Sequence, residues 1–366
     1  MNLAQLRNGA VIVAQDFSAL VALHAKQGEL TALRRWNRTS QIQRVQPLLE
    51  LVPSSSPHSQ LDKVDQVARS LHASGRHLMI DATEVARMPS FGSGPAGALR
   101  TLADRLDGPV DLLDAYPVPF EPVIRSDVED DVLSACRNLC QEMELGGAIR
   151  IRLAELTRAR LSELLERTGL DNTDLDLIVD LQYVPEISPR LQELAGNALR
   201  IVTEAGPFRS TTLLAGSIPR LLNRTSTWEE PRVEEELWRL LRDETAVDVQ
   251  LGDYGVVHPI PGKGYRSKHV SLKYSCSNSW MYSREPTGQA PEDATESVRA
   301  STLRSICREL VHSDRFFGPE FSWGDAEIAA AFNSDTSAWG ATSRPVALGT
   351  SHHLAYLATT SEAMPR

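Results

Sequence analysis

The sequence predicts an α/β protein with a (β/α)8, TIM-barrel-like fold and a C-terminal appendage formed by a β-hairpin and helices. Short β-branched or apolar segments alternate with longer segments of helical periodicity over the first 256 residues. This alternation is typical of parallel strands joined by helical crossovers. This stretch contains eight strand segments, the number in a (β/α)8 barrel, and its length is close to the about 250 residues typical of that fold.

An open, doubly wound parallel sheet is the alternative architecture. No G-x-G-x-x-G motif follows the first strand segment, which weakens the dinucleotide-binding version of that fold. After residue 256 the alternation gives way to a Gly/Pro/basic loop and a hairpin pattern. We therefore predict a barrel over residues 1–256 and an appendage over residues 257–366 that packs on the barrel.

The barrel elements are predicted from runs of apolar residues and their spacing. The eight strand segments cover residues 17–23, 45–51, 77–83, 121–126, 147–153, 175–181, 210–216 and 247–253. The seven helix segments cover residues 26–36, 59–73, 96–106, 128–143, 156–169, 188–205 and 230–244. N-cap residues are expected at or near the starts of four of these helices, because their side chains can accept from free backbone amides. They are Ser59, Asp127, Thr157 and Ser188.

The appendage is predicted to contain a hairpin over residues 270–285, a helix over residues 298–313 and a last strand around His352 and His353. Adjacent residues of a strand point to opposite faces. The two histidines are therefore not expected to hold one metal ion together, and at most one of them is expected to reach a pocket.

Composition limits the partners and the compartment. The net charge is −10, and acidic residues lie beside basic ones along most of the chain, which argues against a dedicated nucleic-acid surface. The N-terminus lacks the features of a signal peptide, and no apolar run approaches the roughly 20 residues of a membrane helix. Four cysteines without zinc-ligand spacing suit a reducing compartment. We predict a cytoplasmic protein without membrane contact.

Polar residues stand at nearly every predicted strand end. In a (β/α)8 barrel the C-terminal strand ends carry the chemistry, because the βα loops begin there. Carboxylates at these positions can transfer protons or bind Mg²⁺. We therefore predict that Glu50, Asp81, Asp180 and Asp253 are catalytic residues.

Cationic groups at the same end would bind an anionic, phosphate-containing ligand, because arginine matches phosphate geometry. The predicted ligand-binding residues are Lys26, Glu29, Arg125, Arg152, Tyr254, Lys273, Arg284 and His353. The alternative is structural. Arg150 and Arg152 share one strand face, as do Asp176 and Asp180 on the next strand, and the four charges could neutralise one another inside the barrel.

Five short blocks stand out along the chain. They are Lys26-x-Gly28-Glu29, Pro47 with Glu50, Gly252-Asp253-Tyr254, Trp323-Gly324-Asp325 and His352-His353. In this order and spacing they resemble the beta family proteins of bacteria and phages, named after a phage beta protein, from about residue 17 to residue 360. The chain departs from the family pattern at Lys273, where arginine is frequent, and at Ile218, where Ser-Phe-Pro is expected.

The resemblance implies a barrel-like fold with these groups at one end, but no reaction. Family members tend to occur in phages and bacterial genomic islands, which implies a role in phage–host conflict. Two functions stay open. The first is a pocket that binds or hydrolyses a phosphate-containing ligand, with Mg²⁺ as the cofactor that the carboxylates would suit. The second is a non-enzymatic component of a phage-defence or mobile-element system, with a protein partner encoded nearby.

Overall fold

The computed structural model describes residues 17–108, 117–245, 247–262, 267–288, 297–332 and 337–360. Eight parallel strands form a closed barrel, and β8 (Thr227–Pro231) belongs to a second sheet. The barrel strands are β1 (Ala19–His24), β2 (Val45–Glu50), β3 (Met79–Asp81), β4 (Glu121–Arg125), β5 (Gly147–Arg152), β6 (Leu175–Tyr183), β7 (Ser210–Gly216) and β9 (Gln250–Asp253). Because β9 pairs with both β7 and β1, the TIM-barrel-like fold is confirmed and the open-sheet alternative is wrong.

The seven predicted helices are all present around the barrel. They are α1 (Gln27–Arg35), α3 (Pro57–Ala73), α4 (Gly97–Asp107), α5 (Asp130–Met143), α6 (Arg158–Thr168), α7 (Pro189–Ala205) and α8 (Val233–Thr245), and a short α2 (Thr39–Ile42) adds to them. Thr157 and Ser188 cap α6 and α7 as expected. Ser59 lies inside α3, which begins at Pro57, and Asp127 precedes the N-cap of α5, so these two assignments are wrong.

Side chains fill the barrel interior in three layers. The middle layer is apolar and contains Leu20, Leu48, Met79, Val123, Ala148, Ile178 and Leu214. Alternate residues of a strand face the same way, so the positions two residues before and after these also point inward. The lower layer, at the N-terminal strand ends, is built from Glu121, Asp176 and Arg209, and the upper layer lies at the C-terminal strand ends.

Arg209 holds the lower layer together. Its guanidinium donates to Asp176 (2.7 Å) and to Glu121 (2.6 Å). Burial raises the pKa of Asp176 to about 6, the Glu121 carboxylate adds to the rise, and Arg209 opposes it. Burial also raises the pKa of Glu121. Asp176 and Glu121 thus share one arginine, and keeping both carboxylates ionised at neutral pH is unfavourable to the stability of the fold.

Asp176→Asn should therefore flatten the pH dependence of stability. The pKa of Asp176 rises from 3.8 to about 6 on folding, so the native state binds this proton more tightly. The resulting stabilisation is complete below pH 3.8 and is lost as the pH rises through 6. A shift of this size corresponds to about 3 kcal/mol. Urea denaturation across this pH window should show a smaller loss in the variant than in the wild type. Exposed Asp248 supplies the control, and an unchanged slope in Asp176→Asn would contradict the prediction.

The second sheet belongs to the appendage. β10 (His269–Cys276) and β11 (Ser279–Pro286) form the predicted hairpin, and β8 adds antiparallel to β11. β8 was not anticipated, and the chain before residue 256 supplies it. Three helices complete this part: α9 (Val298–Val311), α10 (Trp323–Ala329) and α11 (Arg344–Thr360). The division at residue 256 stays a prediction.

The prediction of a last strand is wrong, because His352 and His353 lie on helix α11. Residues 347–358 of this helix are buried almost without interruption. A segment that is buried on every side shows no amphipathic period, so its spacing cannot separate a buried strand from a buried helix. Consecutive side chains of a helix are about 100° apart around its axis. The rings of His352 and His353 therefore contact different neighbours. Of the helices described, none has the length and apolarity needed to cross a bilayer.

Candidate functional site

Arg150 is the centre of the upper layer. It extends inward from β5 and is 5% exposed. Its guanidinium donates to Glu50 (2.5 Å), Asp81 (3.1 Å), Asp180 (3.0 Å) and the Tyr254 hydroxyl (2.6 Å). The Tyr254 hydroxyl in turn donates to Asp180 (2.6 Å). One arginine thus links the ends of β2, β3 and β6 with the residue that follows β9.

Arg125 and His24 complete the upper layer. Arg125 Nε donates to Asp81 (2.6 Å), and its Nη1 donates to Glu84 (3.1 Å) at the surface. His24 Nε2 lies 3.1 Å from Glu50 Oε2, in a contact outside hydrogen-bond geometry. Three buried carboxylates therefore face two arginines and a histidine, which is the kind of pairing that buried charges require.

The arginines keep Glu50 ionised. Burial alone would raise the pKa of Glu50, but Arg150, His24 and Arg125 outweigh burial and hold the pKa below its ordinary range. Burial raises the pKa of Tyr254 well above its ordinary value, so its hydroxyl keeps the proton that it donates to Asp180. The upper layer is therefore a fixed array of ion pairs.

A cavity of about 70 Å³ lies against the upper layer. Its lining consists of Glu50, Glu84, Arg125, Ser126, Asp127, Arg150, Arg152, Asp180, Gln182 and residues 259–261. A volume of this kind near 10–15 Å³ holds one water, so this cavity has room for several waters or for one small polar group. Six of the predicted site residues lie in its wall or directly behind it: Glu50, Asp81, Asp180, Arg125, Arg152 and Tyr254.

Two lining residues distinguish the cavity from a gap in packing. Gln182 has a left-handed backbone (φ 56°) after a register shift in β6, and its N–H donates to Asp180 (2.8 Å). Such strain in a residue other than glycine costs about 1–3 kcal/mol and concentrates at functional sites. The Arg152 side chain is 41% exposed, and its ion-pair contact is with Glu155 at 3.6 Å. Its guanidinium is therefore only loosely paired.

A second buried cluster joins the barrel to the appendage, and we call it the seam cluster. Its centre is Arg232, which follows β8 and contacts Asp253 (2.8 Å), Glu235 (2.7 Å) and Glu234 (3.2 Å). The guanidinium also lies over the rings of Trp280 and Tyr356, 4.9 and 4.8 Å from their centroids. These contacts bring β8, α8, β9, β11 and α11 to one point.

His353 extends the seam cluster through an Asp–His–Ser series. Its Nε2–H donates to Asp253 (2.8 Å), and its Nδ1 lies 3.1 Å from Ser275 Oγ. The residue types are those of a nucleophilic relay, yet all three side chains are buried, Ser275 completely. The series therefore ties α11 to β9 and β10 away from the cavity. The predicted roles of Asp253 in catalysis and of His353 in ligand binding stay predictions.

His352 belongs to a separate buried group around Asp325. Its Nδ1 lies 2.9 Å from Asp325 Oδ2, and its Nε2 lies 2.8 Å from the Ser275 carbonyl oxygen. Tyr274 Oη and Ser322 Oγ donate to Asp325, each at 2.6 Å. Ser322 is the N-cap of α10. Asp325 therefore holds α10, α11 and the hairpin together.

The remaining predicted ligand-binding residues lie outside the cavity wall. Lys273 donates to the Val256 carbonyl (2.8 Å), and burial lowers its pKa to about 8 against the opposing effect of Glu29. Burial raises the pKa of Glu29, with His24 as the main opposing group. Lys26 is exposed at the start of α1, and half-buried Arg284 lies on β11. Their predicted contact with a ligand is untested.

Four residues at or beside the cavity are not among the predicted catalytic or ligand-binding residues: His24, Glu84, Arg150 and Gln182. One signal was present for His24, because it ends β1 in register with Glu50 at the end of β2. Across the described ranges, no group of three or more His, Cys, Asp or Glu side chains is arranged to hold a metal ion. The described residues therefore do not identify a set of ligands for the Mg²⁺ considered above.

The blocks noted in the sequence converge on the contact between the barrel end and the appendage. Residues 21–359 match the Beta protein family. The chain belongs to the Beta protein family. No curated protein shows significant similarity to it. In this family member, a Cβ at Gly28 would lie 2.8 Å from Val346, so the glycine in the first block lets α1 pack closely against α11.

Proposed function

We propose that the cavity at the C-terminal strand ends binds a small ligand through an anionic group such as a phosphate. Arg125 and Arg152 are the proposed cationic contacts. The observation that carries the proposal is the half-exposed guanidinium of Arg152 in the cavity wall, paired only at 3.6 Å with Glu155. Arginine in such a position can offer two parallel N–H donors to a phosphate.

Arg125 supports the same function. Asp81 fixes its Nε from behind at 2.6 Å, whereas its outer partner Glu84 is half exposed at 3.1 Å. Because half of the Glu84 side chain is exposed, an incoming anion can displace its carboxylate from Arg125 into water. Arg150 is already surrounded by carboxylates, and we assign it a positioning role.

Hydrolysis of the ligand would require a group that transfers protons at the cavity wall. Asp180 lines the cavity and shares a hydrogen bond with the Tyr254 hydroxyl, so it is the proposed acid–base residue. Glu50 and Asp81 hold the arginines, and we propose that they position the site. Phage–host conflict is the proposed setting of this activity.

Isothermal titration calorimetry with inorganic phosphate and with adenosine monophosphate tests the proposal. Arg152→Gln is expected to weaken binding at least about tenfold, which is about 1.4 kcal/mol. Arg158→Gln is the matched control, because Arg158 is an exposed arginine of α6 paired with Glu204. Equal affinity in the wild type and in Arg152→Gln, or absence of binding to both compounds, would contradict the proposal. Asp180→Asn adds a test of hydrolysis with p-nitrophenyl phosphate, where it should abolish turnover while binding persists.

A further inference from the structure

Two stretches of the chain, residues 205–228 and 254–284, contain no aspartate or glutamate, although the net charge is −10. The fold brings described parts of both stretches together beside the cavity. Arg220, in the loop after β7, reaches the Ile260 carbonyl at 3.5 Å. Arg284 of β11 donates to the Arg224 carbonyl at 2.9 Å. The described residues at these two contacts therefore lie on adjoining parts of the protein surface.

We call this surface the acid-free face. It comprises Arg220, Leu221, Arg224, Ile260, Lys268 and Arg284. Among the described residues, Arg220, Lys268 and Arg284 form no ion pair, and Arg224 contacts Glu230 at 3.4 Å with both side chains exposed. Exposed pairs of this kind are weak. Three exposed cations, Arg220, Arg224 and Lys268, are therefore available to an anionic partner in an otherwise acidic protein, with half-buried Arg284 beside them.

Two aliphatic side chains lie within the acid-free face. Leu221 is 66% exposed, the highest value among the large apolar residues described, and Ile260 is 43% exposed. Covering apolar surface of this kind with a partner is favourable, because it removes that surface from water. A surface that combines cations with exposed aliphatic groups fits a partner that is both acidic and apolar.

We infer that the acid-free face binds an acidic segment of a protein partner, with an apolar side chain of that segment packed on Leu221 and Ile260. The cations of the face favour acidic residues in the partner segment, and Leu221 and Ile260 favour an apolar residue within it. A long nucleic acid fits less well. The Trp228 ring, which lies under the Arg224 guanidinium, is already stacked on Tyr282 with centroids 5.0 Å apart. A long polyanion would also meet the acidic remainder of the protein, whereas a short segment stays within a Debye length of about 8–10 Å.

Selection from a random peptide display library on the full-length protein tests this inference, with Arg220→Glu/Leu221→Ser as the counter-target. The enriched peptides should combine Asp or Glu with Leu, Ile or Phe. Fluorescence anisotropy of one enriched peptide should show at least tenfold weaker binding to the double variant. Arg200→Glu/Leu194→Ser is the matched control, because it makes the same changes at exposed positions of α7 and should bind like the wild type.

Three outcomes would overturn the inference. The enriched peptides could be basic or uncharged, their binding could be insensitive to the double variant, or no peptide could be enriched over the counter-target. A single-stranded oligothymidylate that binds more tightly than the peptides, and loses affinity in the double variant, would assign the face to nucleic acid. The inference does not rest on the proposed phosphate site. Arg152→Gln should leave peptide binding unchanged, so the two proposals can fail separately.

Discussion

Replacing Arg150 by methionine is expected to lower the free energy of unfolding by about 3–5 kcal/mol. The substitution keeps much of the apolar stem but removes the charge that Glu50, Asp81 and Asp180 share. Three carboxylates would then remain buried, with Arg125 as the arginine beside them. Removing one partner from a buried ion-pair network costs far more than losing a surface pair. Urea denaturation monitored by circular dichroism measures the loss.

Two further variants show whether charge causes the loss. Arg158→Met removes an exposed arginine and should cost less than about 1 kcal/mol. Glu50→Gln combined with Arg150→Met removes one of the unpaired carboxylates and should recover part of the stability of the single variant. A cost of about 1 kcal/mol or less for Arg150→Met would show that the upper layer is held by packing alone.

The barrel could be predicted because local and global patterns agree. Each of the first seven predicted barrel strands is a short apolar run followed by a helix of clear period. The alternation of residues along β5 and β6 places Arg150 and Asp180 on inward faces. The structure shows this pair in contact at 3.0 Å. Asp176 also faces inward, but at the opposite end, where it pairs with Arg209 and not with Arg150 or Arg152. The alternation of residues along a strand predicts which face of the sheet a side chain is on. Its layer within the barrel depends on the register between neighbouring strands.

The appendage could not be predicted to the same depth, because its elements depend on contacts distant in sequence. β8 has the sequence TWEEP, and it becomes a strand by pairing with β11, about fifty residues later. α11 is buried on all sides over residues 347–358, so its helical period is hidden. Asp253 and His353 lie one hundred residues apart. The sequence blocks that carry the family resemblance identify these residues but do not show which of them meet.

Arg232→Met should destabilise the protein by about 3–5 kcal/mol for the same reason as Arg150→Met, because it removes the buried cation that Asp253, Glu234 and Glu235 share. The site of the damage should differ. Barrel closure through the pairing of β1 with β9 does not pass through Arg232, whereas β8, β11 and α11 all meet it. The appendage should therefore loosen before the barrel does.

Native-state hydrogen exchange separates the two arginine variants, because local openings expose amides in proportion to their own free energy. Arg232→Met should lose protection first in β10, β11 and α11, while Arg150→Met should lose it across β2, β3, β5 and β6. Arg239 offers a matched control, since it pairs with Glu235 from the solvent side with its own side chain 37% exposed. Arg239→Met should leave protection in both regions almost unchanged. Equal loss of protection in barrel and appendage for Arg232→Met would mean that the two parts unfold as one cooperative unit, and the seam cluster would then stabilise the whole chain and not the attachment of the appendage.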